Sequence, residues 1–170
     1  MKFKLTGIGK RYRLEEKFNT ADQDIKAGKI ELAAEGLEAI LAEDPKFGKA
    51  YNHLGWIYET KFKDYENAEK QYKLALEHAP NYTAVYKNYA ILLSTLGKYD
   101  ELKVLLEKAF KVPGMDKFTV YNEYGIMYEQ LEQYSMAINY YRDAAKATMN
   151  DKSMKTAMDS IERCNTKMSL

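Results

Sequence analysis

Apolar residues recur along the chain at helical spacing, and the same arrangement returns after 35 residues. Tyr51, Leu54, Gly55 and Tyr58 stand at offsets of 3, 4 and 7, which places them on one face of an α-helix. Two later sets keep these offsets: Tyr86, Tyr89, Ala90, Leu93 and Tyr121, Tyr124, Gly125, Tyr128. The pattern therefore predicts three equivalent helices.

A second helical pattern follows each of these helices after a short turn. Its apolar positions are Tyr65, Ala68, Tyr72, Ala75, then Tyr99, Leu102, Leu106, Ala109, then Tyr134, Ala137, Tyr141, Ala144. Gly97 separates the two helices of the middle block. Pro80 and Pro113 close second helices, because a proline ring cannot continue the hydrogen-bond ladder. The repeated unit is thus a helical hairpin.

These hairpins resemble the tetratricopeptide repeat, whose pattern is W-x2-L-G-x2-Y, then A-x3-F, then P. The stretches YNHLGWIY and AEKQYKLALEHAP follow it closely, with Tyr51 in place of the usual tryptophan. The resemblance implies an all-α fold, a right-handed superhelical α-solenoid of antiparallel helix pairs. It covers residues 14–149 and departs from the family in three ways. The first repeat lacks the aromatic residues, one extra residue lies near Lys63, and the last repeat ends in Met149 rather than proline.

The repeat spacing also predicts how the chain is organised. We expect a basic N-terminal arm at 1–13, four repeats at about 14–47, 48–82, 83–117 and 118–149, and a C-terminal capping helix at 150–170. The first repeat is degenerate, but an apolar stripe persists in it at Leu14, Phe18, Ala21 and Ile25. Small residues at the centre of the first helices mark the place where the two helices of a hairpin cross: Gly55, Ala90 and Gly125.

The C-terminal stretch has one apolar face, formed by Met154, Ala157, Met158, Ile161, Cys164 and Met168. A solenoid needs a terminal unit with a polar outer face, so we interpret this amphipathic helix as a cap. The alternative is a helix that binds a partner through the same face.

Composition narrows the choice of function. The net charge of +1 lacks the basic excess of a domain that neutralises phosphates, so no nucleic-acid partner is expected. A lone cysteine, Cys164, cannot form an intramolecular disulfide and suits a reducing compartment. No signal-peptide core and no membrane-spanning run is present in the sequence, so we expect a cytoplasmic protein with no membrane partner.

The sequence offers little that could support catalysis. His53 and His78 are the only histidines, and no cluster at metal-ligand spacing accompanies either one. The segment TGIGK at residues 6–10 lacks the remaining spacing of a phosphate-binding loop and is interpreted as part of a flexible arm. We therefore expect neither an enzyme nor a bound cofactor or metal.

With catalysis disfavoured, we expect the chain to bind another molecule, and the repeats indicate which surface does so. The residues next to the signature face of each first helix form repeated rows that would line a concave peptide-binding groove: Asn52, Trp56, Glu59, Lys87, Ile91, Ser94, Asn122, Ile126 and Glu129. Amide and ammonium groups could pair with a peptide backbone while the apolar row takes its side chains. The residues at the register of Trp56, in particular Ile91 and Ile126, could instead pack between neighbouring repeats. Trp56 is the strongest candidate, because exposed tryptophans are enriched at binding hot spots.

The partner is left as an unidentified protein or peptide. The clamp that some tetratricopeptide domains form around the terminal carboxylate of heat-shock chaperones is disfavoured, because Glu123 would repel that carboxylate. The main hypothesis is a non-enzymatic adaptor or scaffold. One alternative is a structural assembly component, a homo-oligomer or a subunit of a complex, that associates through its C-terminal helix and basic arm. A less favoured alternative is an RNA-binding helical repeat.

Overall fold

The computed structural model describes the backbone of residues 7–170 and the side chains from residue 9 onward, and no strand occurs in that part of the chain. The helices are α1 (Gly7–Lys26), α2 (Ile30–Glu43), α3 (Gly48–Ile57), α4 (Tyr65–His78), α5 (Thr83–Thr95), α6 (Tyr99–Ala109), α7 (Lys117–Gln130), α8 (Tyr134–Ala147) and α9 (Asp151–Met168). A π-helical segment, Tyr58–Phe62, extends α3. The all-α fold of paired helices is the one that the sequence predicted.

Helix α1 begins earlier than the repeat pattern indicated. Residues 7–13, which the sequence analysis assigned to the arm, are helical, whereas residues 1–6 lie outside the described part of the chain. Ionic contacts hold this start of α1 to the end of α2: Arg13 and Lys17 pair with Glu43, and Lys10 Nζ donates to the Glu43 carbonyl over 2.9 Å. The segment is fixed by charge pairs, which an apolar repeat pattern cannot reveal.

The chain divides into two compact units, unit 1 up to Val85 and unit 2 from Tyr86. In unit 1 the degenerate first hairpin shares a core with α3. Its buried members are Leu14, Phe18, Ala21, Ala33, Leu37, Ile40, Phe47, Ala50, Leu54 and Ile57. The apolar stripe of α1 therefore performs the packing role that the aromatic residues perform in the later repeats.

The predicted crossing of the two helices at a small residue is confirmed in two hairpins. A Cβ atom built on Gly55 of α3 would lie 2.7 Å from the ring of Tyr72 on α4. A Cβ atom on Gly125 of α7 would lie 2.5 Å from the ring of Tyr141 on α8. Both tyrosines are fully buried. Only a glycine leaves room for the tyrosine ring at these positions.

The extra residue near Lys63 is accommodated inside the helix. The backbone widens into the π-helical segment, and Lys63 then closes the helix in the left-handed conformation with φ 56°. Asp64 begins α4 by accepting a hydrogen bond from the backbone N–H of Asn67 over 3.1 Å. A single inserted residue is a common origin of such a widened turn.

Helix α9 packs on α8 in unit 2. Ile161 and Cys164 join a buried cluster with Ala137, Ile138 and Tyr141. The predicted apolar face is only partly covered, because Met154, Met158 and Met168 are 41%, 54% and 54% exposed.

Candidate functional site

In unit 1, the candidate residues of α3 and its π-helical extension differ widely in exposure. Asn52 is buried, with its Nδ2 atom 3.5 Å from Nδ1 of His53. Glu59 is also buried, and its Oε2 atom accepts a hydrogen bond from the Tyr72 hydroxyl over 2.6 Å. Burial raises the pKa of Glu59 above its ordinary value of 4.5. Asn52 and Glu59 are thus engaged within the chain.

Trp56 lies between these two residues and remains partly accessible. Its indole is half-buried and packs against the core of unit 1. The ammonium of Lys61 lies 5.2 Å from the centre of the Trp56 ring system, which is cation–π distance. One side of the indole therefore belongs to the core, and the remainder can meet another molecule.

In unit 2, α5 exposes two of its three candidate residues. Lys87 is exposed, and Ile91 is 41% exposed. Ser94 is buried, and its hydroxyl donates to Oε1 of Gln130 at the end of α7 over 2.7 Å. Ser94 consequently joins α5 to α7 and does not face solvent.

The three candidate residues of α7 are all partly buried. Asn122 and Ile126 are half-buried, and Ile126 touches the cluster beneath α9. Glu129 is enclosed by three donors: the Tyr141 hydroxyl at 2.8 Å, Arg163 at 2.7 Å and Lys167 at 2.9 Å. The Arg163 guanidinium, followed by Lys167 and Tyr141, lowers the pKa of Glu129 to about 2. Glu129 is a structural anion here.

A further carboxyl interacts with the charge of Lys87 but was absent from the predicted rows. Glu123 is 7% exposed, and burial raises its pKa to about 7 against the opposing charge of Lys87. The 35-residue register could have indicated it, since His53, Asn88 and Glu123 each follow a candidate residue directly. His53, the first of this series, lies 3.3 Å from Asp22, and burial lowers the pKa of its imidazole.

The groups at these positions can donate and accept hydrogen bonds and can cover apolar atoms. Within residues 9–170, no group of three or more His, Cys, Asp or Glu side chains could hold a metal ion. No helix in the described part of the chain is long and apolar enough to cross a membrane. Cys164 is buried, and its burial raises the pKa of the thiol.

Comparison with known proteins places this arrangement in a family. Residues 16–162 match a family model described as tetratricopeptide repeat. A comparison with curated proteins found no match.

Solved structures share the fold at low sequence identity. The pilF protein of Pseudomonas aeruginosa is 20% identical, with a TM-score of 0.80 over 91% of this chain and 70% of that chain. PilW, a widely conserved type IV pilus biogenesis factor, is 18% identical, with a TM-score of 0.70 over 90% and 78%. A thermophilic TPR protein of Thermus thermophilus is 19% identical, with a TM-score of 0.64 over 92% and 82%. Because the family model spans most of the sequence and the folds agree, the chain belongs to the tetratricopeptide repeat family.

Proposed function

We propose that the chain is a non-enzymatic adaptor that binds an extended segment of a partner protein. Tetratricopeptide repeats in general serve protein–protein interaction or scaffold roles, and the family is generally non-catalytic. Such repeats generally bind proteins or peptides. We further propose which surface of this chain makes the contact and which kind of peptide segment it binds.

The observation that carries the proposal is a partly open strip on α5 and α7 of unit 2. We call Lys87, Ile91, Asn122 and Ile126 the recognition strip. Lys87 and Ile91 are exposed, and Asn122 and Ile126 are half-buried. The hydrogen bond between Ser94 and Gln130 ties the two helices together at 2.7 Å. This bond joins the two helices that carry the strip.

The chemistry of the recognition strip suits an extended peptide. The Lys87 ammonium can donate to peptide carbonyls, and the Asn122 amide can both donate and accept. Ile91 and Ile126 follow Lys87 and Asn122 by four residues, about one helical turn along the same helix faces, and can cover an apolar peptide side chain. Polar groups that contact the peptide backbone, next to apolar side chains that contact its side chains, can bind a peptide whatever its net charge.

Trp56 is proposed as a separate contact on unit 1. Its partly accessible indole offers apolar area with little conformational entropy to lose. Asn52, Glu59, Ser94 and Glu129 are left out of the contact surface, because each is engaged in the chain's own hydrogen bonds or burial. They support the helices that carry the strip.

A charge introduced at Ile91 tests the proposal. The Ile91→Glu variant places a carboxylate on the strip, and desolvating that carboxylate beneath a bound peptide is expected to weaken binding at least tenfold. Val104→Glu is the matched control, because Val104 is 52% exposed on α6 of the same unit. The tagged chain and both variants are used to purify partners, which quantitative mass spectrometry identifies.

Partners that are lost with Ile91→Glu and retained with Val104→Glu support the recognition strip. Equal retention by both variants would contradict it. Thermal unfolding of each variant, followed by circular dichroism, verifies that both remain folded at the temperature of the purification.

A further inference from the structure

A basic cavity in unit 1 lies apart from the residues of the proposed function. It opens between the start of α1, the connection from α2 to α3, the first turn of α3 and the end of α4, with a volume of about 340 Å³. Its charged lining consists of Lys10, Arg11, Glu15, Asp44, Lys46 and Lys49. A cavity of this size falls within the range of about 300–1,000 Å³ that is usual for small-ligand sites.

The lining carries an excess of positive charge. Four cations face two carboxylates, which leaves a formal charge of two positive units. Glu15 is already paired with Lys49 at 3.0 Å. Lys10 Nζ donates to the backbone carbonyl of Glu43, a contact that neutralises no charge. The basic cavity is therefore electropositive after its own pairs are formed.

Two of the cations are available to a ligand. Among the described residues, Arg11 and Lys46 form no ion pair with a carboxylate. Arg11 comes from α1, whereas Lys46 comes from the connection between α2 and α3. Charges brought to one cavity by two separate elements can hold an anion from different sides.

The first turn of α3 adds to the positive field. Phe47, Gly48 and Lys49 line the cavity, and no side chain caps the start of the helix. Gly48 and Ala50 already donate their backbone N–H groups to the carbonyls of Lys46 and Phe47 over 2.9 Å and 3.0 Å, so α3 contributes through its dipole, which favours an anion at this end. Asp44 is the one unneutralised opposing charge in the lining; its Oδ1 atom accepts the backbone N–H of Lys46 over 3.1 Å.

We propose that the basic cavity binds a phosphate monoester dianion. Two negative charges match the excess charge of the lining, whereas a single carboxylate would neutralise half of it. The fork of the Arg11 guanidinium can pair with two phosphate oxygens at once. Lys46 can supply a point charge to a third oxygen, and the dipole of α3 adds to the attraction.

The dianion could come from a small organic phosphate or from a phosphorylated side chain of a protein. Both sources present the same group to Arg11 and Lys46. The proposal does not depend on the recognition strip, because that surface belongs to unit 2 and involves different residues.

Isothermal titration of the full chain tests the site with three probes: inorganic phosphate, O-phospho-L-serine and a short phosphoserine peptide. We expect saturable binding with one site per chain. Arg11→Gln and Lys46→Gln should each weaken binding on the order of tenfold, because each removes a charge-assisted contact. Asp44→Asn should tighten binding, because it removes the opposing charge.

Matched controls separate a site from general charge effects. Arg142→Gln and Lys155→Gln remove the same charges from exposed positions on α8 and α9, and binding should stay unchanged. Equal weakening in these controls, or no saturable binding of any probe, would overturn the proposal. Succinate, a dianion without phosphate geometry, should bind at least tenfold more weakly than phosphoserine, and equal affinity would overturn the assignment to phosphate.

The probes also distinguish the two sources. Both of the following outcomes support the site. If the peptide binds at least tenfold more tightly than free phosphoserine, the source is a phosphorylated protein. If the gain in affinity is less than tenfold, the source is a small organic phosphate.

Discussion

The hairpins α3–α4 and α7–α8 place a glutamate and a tyrosine in the same relationship 70 residues apart. The Tyr72 hydroxyl donates to Glu59 over 2.6 Å, and the Tyr141 hydroxyl donates to Glu129 over 2.8 Å. In both hairpins the tyrosine ring also covers the glycine at the helix crossing. The repeat therefore copies a polar bond together with an apolar contact.

The pKa values of the two glutamates nevertheless shift in opposite directions. Arg163 and Lys167 of α9 reach Glu129 and lower its pKa to about 2. Burial dominates at Glu59 and raises its pKa, although the Tyr72 hydroxyl and the charge of Lys63 oppose this shift. A shared repeat position thus fixes the geometry of the carboxyl, whereas its surroundings, the cations of α9 at Glu129 and burial at Glu59, decide the direction in which its pKa shifts.

The terminal helix consequently does more than cover apolar surface. Ile161 and Cys164 of α9 fill the cluster on α8, while Arg163 and Lys167 neutralise Glu129. The four residues alternate along one stretch of helix, so packing and charge pairing are formed together. The interpretation of α9 as a cap is thereby given a physical basis in unit 2.

The largest expected effect comes from filling the glycine position at either helix crossing. Gly55→Ala and Gly125→Ala would each place a methyl group less than 3 Å from a buried tyrosine ring. We expect each to lower the free energy of unfolding by about 1–3 kcal/mol, since a packed core cannot yield that space without strain. Urea unfolding followed by circular dichroism measures the change.

Gly36→Ala is the control for both variants. A Cβ atom at Gly36 would lie 3.7 Å from the Cβ atom of Ala21, which is ordinary contact. Its higher helix propensity should raise stability by up to about 1 kcal/mol. If Gly55→Ala or Gly125→Ala behaved like Gly36→Ala, the shared crossing would not be a tight contact.

A somewhat smaller effect on stability is expected from replacing each of the two glutamates with glutamine, and it should depend on pH in opposite ways at the two positions. Because the folded-state pKa of Glu129 is about 2, against an ordinary 4.5, its ionised form stabilises the fold above pH 4.5, and this stabilisation is lost as pH falls towards 2. Glu129→Gln should therefore cost about 1–2 kcal/mol at pH 7, since its cationic partners are partly exposed. That cost should shrink as the pH is lowered from 5 to 3.

Glu59→Gln should show the opposite trend. The raised pKa of Glu59 means that the wild-type fold loses stability as pH rises from 4.5 through the folded-state value. The variant should therefore become more stable relative to wild type as the pH rises. Urea unfolding at several pH values tests both variants, with Glu162→Gln as the exposed control on α9. Parallel pH dependences at the two positions would refute the contrast.

Much of the fold could be predicted from the sequence, because apolar spacing and small residues reflect packing directly. The Gly55–Tyr72 and Gly125–Tyr141 contacts are examples. Exposure of polar residues was harder to predict. Glu59 and Ser94 are buried, because a polar side chain enters a core when a specific partner satisfies it, and their partners Tyr72 and Gln130 lie 13 and 36 residues further along the chain. The start of α1 was missed for the same reason, since its ion pairs join residues 26 and 30 positions apart.

The smallest expected effect concerns the turns that close the first helices of these hairpins. Lys63 and Glu132 adopt left-handed conformations with φ 56° and φ 59°, where the middle hairpin has Gly97 at φ 67°. Replacing either residue by glycine should raise stability by about 0.5–1 kcal/mol, because a side chain strains this conformation and glycine does not. Gly97→Ala should lower stability by a similar amount. Thermal unfolding of the three variants measures these changes. A smaller gain is expected at Lys63 than at Glu132, because Lys63→Gly also removes the charge that acts on Glu59, and no gain at Glu132 would contradict the strain.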